Sequence, residues 1–145
     1  MCIRDRFNTF IELVEKLGLQ LSATPGHITP PSTSVVALGL LYDTAQNTVS
    51  LPQDKMVAII KMLEEWKRKS FATPKELASF AGRLLWVCNV VPPGRIFLGR
   101  VLATKRYADS LDRKVPLDAD FKLDVDWWFD MVSPWNGRSL LVPCL

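Results

Sequence analysis

The chain has 145 residues, 48% of them hydrophobic, and a formal net charge of +3. That length supports one compact domain or two small subdomains sharing a core. The longest apolar run, LASFAGRLLWVCNVV, is interrupted by Arg83 and falls short of the roughly 20 residues a membrane span needs, so no membrane partner is expected. Cys2, Cys88 and Cys144 form no CxxC or Cys/His spacing and cannot all pair, which argues against structural zinc and a secreted disulfide scaffold and for an intracellular compartment, cytoplasm or nucleus.

Residues 1–6 hold a Cys, two Arg and an Asp, with no helix start, no signal-peptide apolar region and no myristoylation site. Phe7, Phe10, Leu13, Val14 and Leu17 then recur at helical spacing and Gly18 stops the pattern, predicting a short amphipathic helix. A strand is expected over 19–22. The stretch ATPGHITPPSTS is a loop, because its prolines and glycine break any ladder or helix. VVALGLLYDTAQNTVSL reads as two β-rich runs around a polar turn at residues 43–47.

From Leu51 the pattern turns helical. Pro52 suits a first turn, and Met56, Ile59, Ile60, Leu63 and Trp66 keep one face apolar before WKRKS ends it with positive charge beside the C-terminal dipole. Thr73-Pro74-Lys75-Glu76 is a capping box with proline at N1, starting a helix that turns Leu77, Phe80, Ala81, Leu84 and Cys88 inward and stops by Val91, before two prolines. Ile96, Phe97, Val101 and Leu102 predict a third helix, running into a charged linker, YADSLDRK. Asp118 is placed as the N-cap of a fourth, with Phe121, Val125, Trp128 and Val132 on one face and Ser133-Pro134 as its end. Asn136-Gly137 is a turn signal leading into a new strand. The order predicts an α+β fold: a helix and small antiparallel sheet, then a helical bundle.

Enzyme chemistry finds little support in these residues. Asp118, Asp120, Asp124, Asp126 and Asp130 crowd one segment, but on a helix Asp124 and Asp126 point about 200° apart and cannot clamp one ion. His27, the single histidine, has no nucleophile at recognisable spacing, and neither GxGxxG nor GxxxxGK is present. Charge is distributed more tellingly. Residues 1–54 carry three basic and five acidic side chains, residues 55–106 eleven and three, and residues 107–145 four and seven. A basic middle third on helices is the electrostatic footprint that phosphate backbones select. Lys67, Arg68, Lys69, Lys75, Arg83, Arg95 and Arg100 are its candidate phosphate contacts, positioning a duplex without reading its bases. The five tryptophans have helical spacing and are expected to be mostly core or interface residues.

Taken in order, LGLQLS, a Pro-rich gap, ALGLLYDT, NTVSLPQDK, TPKELASFAGRLLWVCNVVPPGRIFLGRVL, VPLDADFKLDVDWW and WNGRSLL resemble the polymerase of a retroelement, nearest to the tyrosine-recombinase-encoding class related to DIRS elements. The resemblance covers nearly everything from Phe7 onward. It implies that residues 7–51 are the end of a reverse transcriptase palm, with Leu38, Gly39 and Leu40 in a primer-grip-like hairpin. Residues 52–115 would then be the helical thumb, lying against template-primer, and 116–145 the connection toward a ribonuclease H domain. The chain departs from the family where a lysine usually follows LS, and reads Pro25 there.

In such an enzyme the aspartates holding two catalytic Mg2+ ions lie upstream of the matched segment. The resemblance therefore implies a chain that binds no cofactor and catalyses nothing alone, with an RNA/DNA or DNA duplex and the rest of the polyprotein as partners. Back-translated, residues 1–6 resemble the mosaic-end adapter of transposase-based sequencing libraries, and they are expected to be an adapter scar on an interior fragment. Two other readings stand beside this one: a free-standing basic helical nucleic-acid-binding module, and a protein-interaction domain whose tryptophans form the partner surface.

Overall fold

The computed structural model describes residues 2–25 and 28–137. Gly26, His27, Cys144 and the strand expected after Asn136-Gly137 lie outside the described residues. The chain folds as α+β, as its patterning predicts: α1 (Ile3–Lys16), β1 (Ser34–Ala37), β2 (Leu40–Asp43), β3 (Thr48–Ser50), α2 (Gln53–Arg68), β4 (Phe71–Ala72), α3 (Pro74–Val87), a 3-10 helix (Pro92–Leu98), α4 (Gly99–Leu111), β5 (Val115–Pro116) and α5 (Ala119–Trp135). No helix among the described residues is long and apolar enough to cross a membrane.

Helix α1 begins earlier than its apolar spacing indicates. Asp5 Oδ2 accepts from the Cys2 backbone N–H at 3.0 Å, so the stretch read as lacking a helix start supplies one. Its end is the expected glycine stop. Gly18 has φ +73°, its N–H reaches Glu15 O at 2.9 Å, and the Leu19 N–H reaches Val14 O at 3.1 Å, the paired closure that a left-handed residue at C′ permits. None of the α1 residues is buried. The strand expected over 19–22 is absent. Among the described residues no other strand lies beside it, and an extended segment without a ladder partner is not a strand.

The segment read as two runs and one turn contains three antiparallel strands in the order β1-β2-β3. The extra turn is Leu38-Gly39, with φ of +51° and +81°, between paired Ala37 and Leu40. Positive φ at both central residues matches the right-handed twist of the flanking strands. In the second turn Asp43 Oδ1 accepts from the backbone N–H groups of Ala45 and Gln46, both at 2.9 Å.

The core runs from Leu40 to Val132, and an aromatic trio joins α2, α3 and α5 within it. Trp66 stacks on Phe80 at 4.0 Å, and Phe121 closes the trio at 5.9 and 6.1 Å. The predicted capping box forms: Glu76 N–H donates to Thr73 Oγ1 at 3.2 Å and Thr73 N–H to Glu76 Oε2 at 2.8 Å. Asp118 N-caps α5, accepting from Phe121 N–H at 2.7 Å. Helices α2 and α5 pack antiparallel, and at their far ends Asn136 Oδ1 accepts from Leu51 N–H at 2.7 Å.

Three boundaries depart from expectation. The PPG stretch is itself helical, as a 3-10 turn whose first residues are prolines lacking the N–H a helix start leaves unused. Helix α4 extends through Tyr107–Leu111, read as linker, because Val101 and Ala108 are buried against the bundle and hold it. Helix α5 passes Ser133-Pro134 and ends at Trp135, with Pro134 accommodated in the last turn. The two-residue pair β4-β5, with Ala72 opposite Val115, was not anticipated.

Candidate nucleic-acid interface

The seven basic residues separate into two groups once the helices are packed. Arg68, Lys75, Arg83 and Arg95 are exposed, and among the described residues none has a carboxylate within 4 Å. Lys67, Lys69 and Arg100 are committed to partners within the chain. Lys67 Nζ lies 2.9 Å from Asp126 Oδ1 and 4.3 Å over the Phe129 ring. Arg100 Nη1 donates to Asp124 Oδ1 at 3.2 Å and to Asp120 O at 2.6 Å. Both therefore point at α5 and its acidic residues.

Lys69 donates to Glu76 Oε1 at 2.6 Å and lies 5.1 Å from the centre of the Trp66 ring. That ammonium and the Thr73 N–H hold the Glu76 carboxyl down to about 2, well below its ordinary value of 4.5.

Helices α2 and α3 run antiparallel with a shallow cleft of about 170 Å³ between them, lined by Glu65, Trp66, Lys69, Glu76, Ser79 and Arg83 among others. Lys69 and Arg83 are thus brought together, with Lys75 on the same helix and Arg68 one residue from Lys69. Arg83 Nη1 contacts Met62 Sδ at 3.7 Å and keeps the rest of its fork available. The α3 surface between these charges is made of small residues, Ala78, Ser79 and Gly82, all exposed. A backbone-like polyanion can approach such a surface closely. Arg95 and Arg100 belong elsewhere, on the 3-10 helix and at the start of α4.

Leu38, Gly39 and Leu40, the residues the resemblance singles out, sit at the other end of α3. Leu38 is 91% exposed at the tip of the β1-β2 turn, Gly39 is half-buried and Leu40 is buried in the core. Trp86 Nε1 donates to Leu38 O at 3.3 Å, and a Cβ at Gly39 would come 3.1 Å from the indole. A cavity of about 370 Å³ opens beside this contact, lined by Leu38, Leu40, Tyr42, Val49, Trp86 and Asn89. Helical spacing counts Trp86 with the core or interface tryptophans; here it is half-buried and tethers the hairpin to the basic helix.

The acidic residues of α5 do not converge. Asp118 caps the helix, Asp124 faces Arg100 and Asp126 faces Lys67. Among the described residues no three His, Cys, Asp or Glu side chains gather as a metal-binding group. Burial raises the Asp124 pKa while Arg100 opposes the shift. Cys88 is buried, and burial pushes its thiol up to about 11 against the pull of Arg95, a poor thiolate nucleophile.

Sequence patterning had no signal for one cation beside this basic face. Lys122, on the first turns of α5, donates to Trp66 O at 3.0 Å, Lys67 O at 2.8 Å and Lys69 O. No protein-family model, curated protein or solved structure matches the chain.

Proposed function

We propose that this chain is the template-primer-holding part of an RNA-directed DNA polymerase of the retroelement type, intracellular in cytoplasm or nucleus. It would comprise the end of the palm, the thumb and the start of the connection toward ribonuclease H. The observation that carries the reading is the Trp86–Leu38 tether: it joins a strained, exposed hairpin tip to the helix that bears Lys75 and Arg83. The hairpin and the basic face then lie along one helix, as a duplex and its terminus require.

Backbone contacts of this kind position a duplex and do not read it. Arg68, Lys75 and Arg83 supply the contacts, Lys69 completes the face beside Glu76, and Arg95 and Arg100 lie outside it. The chain binds RNA/DNA or DNA duplex without sequence preference and has no polymerase activity alone; the two Mg2+ ions of the parent enzyme would be held by residues outside this chain.

The test is duplex affinity against salt. If Arg68, Lys75 and Arg83 each neutralise one phosphate, log K falls with log salt at a slope of roughly −2.7, from about −0.9 per phosphate. The double reversal Lys75→Glu, Arg83→Glu then abolishes binding while the fold persists. Absence of duplex binding by the unaltered chain at low salt overturns the reading. A protein-interaction role has its own observation, the exposed Ile3, Phe10 and Leu13 of α1 and Leu17 just after it, and predicts that the same reversal leaves partner capture intact.

A further inference from the structure

We infer that Lys122 is a positioning residue for the duplex-binding face: it touches no phosphate itself but fixes the turn that presents Arg68. The inference rests on the duplex-binding reading and deepens it.

The argument starts from the end of α2. A helix leaves its last carbonyls without intrahelical partners, and here that end is also where positive charge is concentrated. Lys69 has already left the helix, with φ −73° and ψ 131°, and the chain turns within two residues into β4. Such a reversal strands several carbonyls at once. The ammonium of Lys122 reaches the carbonyls of Trp66, Lys67 and Lys69, and an ammonium has three protons. Its donor capacity is saturated by the protein backbone. None remains for a phosphate, although Lys122 is a basic residue beside the basic face.

The position of Lys122 is itself fixed from several sides. Asp118 caps the start of α5 one turn earlier, Phe121 is buried against Trp66 and Phe80, and Asp126 one turn later pairs with Lys67. The β4-β5 pair adds a backbone clasp, with Leu117 N–H donating to Ser70 O at 2.9 Å. Residues 66–72 are therefore held against the start of α5 by side-chain and backbone bonds together. Between the two clamped residues Lys67 and Lys69, Arg68 projects into solvent. Its direction is set by its neighbours, and theirs by Lys122.

The test is a double-mutant cycle on duplex affinity, with Lys122→Met, which keeps the alkyl stem and removes the donors. The probe is a mixed-sequence RNA/DNA hybrid, measured at a temperature where every variant is folded. Lys122→Met weakens binding about fivefold in the unaltered chain, within the coupling seen for residues in one network. It costs the same factor in an Arg83→Gln background, and less than about twofold in an Arg68→Gln background. Lys122→Arg, which retains donors, restores most of the affinity. Equal losses in both backgrounds would mean that Lys122 contacts phosphate directly or supports the fold at large, and would overturn the inference.

Backbone amide exchange supplies a readout independent of the ligand. Lys122→Met speeds exchange at Ala72 and Leu117 while the amides of Leu63, Leu84 and Val125 keep their protection. Uniform acceleration across those helices overturns the positioning role. If the unaltered chain fails to bind duplex, the functional reading falls and the exchange pattern still decides whether Lys122 fixes this turn.

Discussion

An alanine at position 94 would place a methyl group against one of the most enclosed rings in the core. Its Cβ would lie 2.1, 2.5 and 2.9 Å from three carbons of the Trp128 indole, where carbon atoms ordinarily rest about 3.5–4.0 Å apart. The ring must retreat by more than about 1 Å to restore contact. It has little room to do so. Trp128 is fully buried, its neighbour Trp127 stands edge-on at 5.6 Å, and Trp127 is itself stacked on Phe97 at 3.9 Å.

Overpacking that cannot relax sits at the upper end of its usual range, so Gly94→Ala is expected to destabilise by about 3 kcal/mol. For a chain of this size that lowers Tm by roughly 10 °C. Urea unfolding followed by tryptophan fluorescence checks it, with the midpoint falling and the slope unchanged. Gly82 is the internal control. It lies inside α3 with nothing within 4 Å of an added Cβ, so Gly82→Ala should stabilise by up to about 1 kcal/mol through backbone entropy. A Gly94→Ala variant within about 0.5 kcal/mol of the unaltered chain would refute the packing argument.

Glu76 predicts an acid limb in stability. Its folded pKa is depressed to about 2 from 4.5, so its contribution is complete above the unfolded value and disappears as pH falls through that window. Because the carboxylate is 43% exposed and solvent screens it, about 1 kcal/mol is expected, and Glu76→Gln should match the unaltered chain near pH 2 but fall below it at pH 7. A gap that persists unchanged to pH 2 would contradict this. Leu38→Asn should stabilise by about 1 kcal/mol, since the left-handed backbone disfavours leucine and its side chain buries almost nothing; a lower melting temperature would count against it. Asp126→Asn releases Lys67 and should tighten duplex binding at low salt, at a stability cost below about 1 kcal/mol. Unchanged affinity would place Lys67 outside the interface.

The apolar period of α2, α3 and α5 was legible because each helix buries one continuous stripe, and the Thr73–Glu76 box and the Asp118 cap were legible because their partners lie three residues away. The same reasoning missed the Leu38-Gly39 turn. Its first residue is a leucine, which local preference does not place in left-handed backbone; Trp86, 48 residues on, holds that carbonyl. It also carried α1 too short and α4 short by five residues, since a side-chain cap from Asp5 and the burial of Ala108 override weak local patterns.

By itself the sequence determined the class of fold, the inward faces of the long helices and the concentration of positive charge between residues 55 and 106. These are local quantities, set by spacing and composition along a few turns. Tertiary structure alone decided which of those charges remain available. Lys67 and Arg100 face carboxylates on α5 and Lys69 faces Glu76, while outside that stretch Lys122 is consumed by three carbonyls more than 50 residues away in sequence. A charge is free or spent according to what packing brings within about 4 Å of it, and no periodicity records that distance.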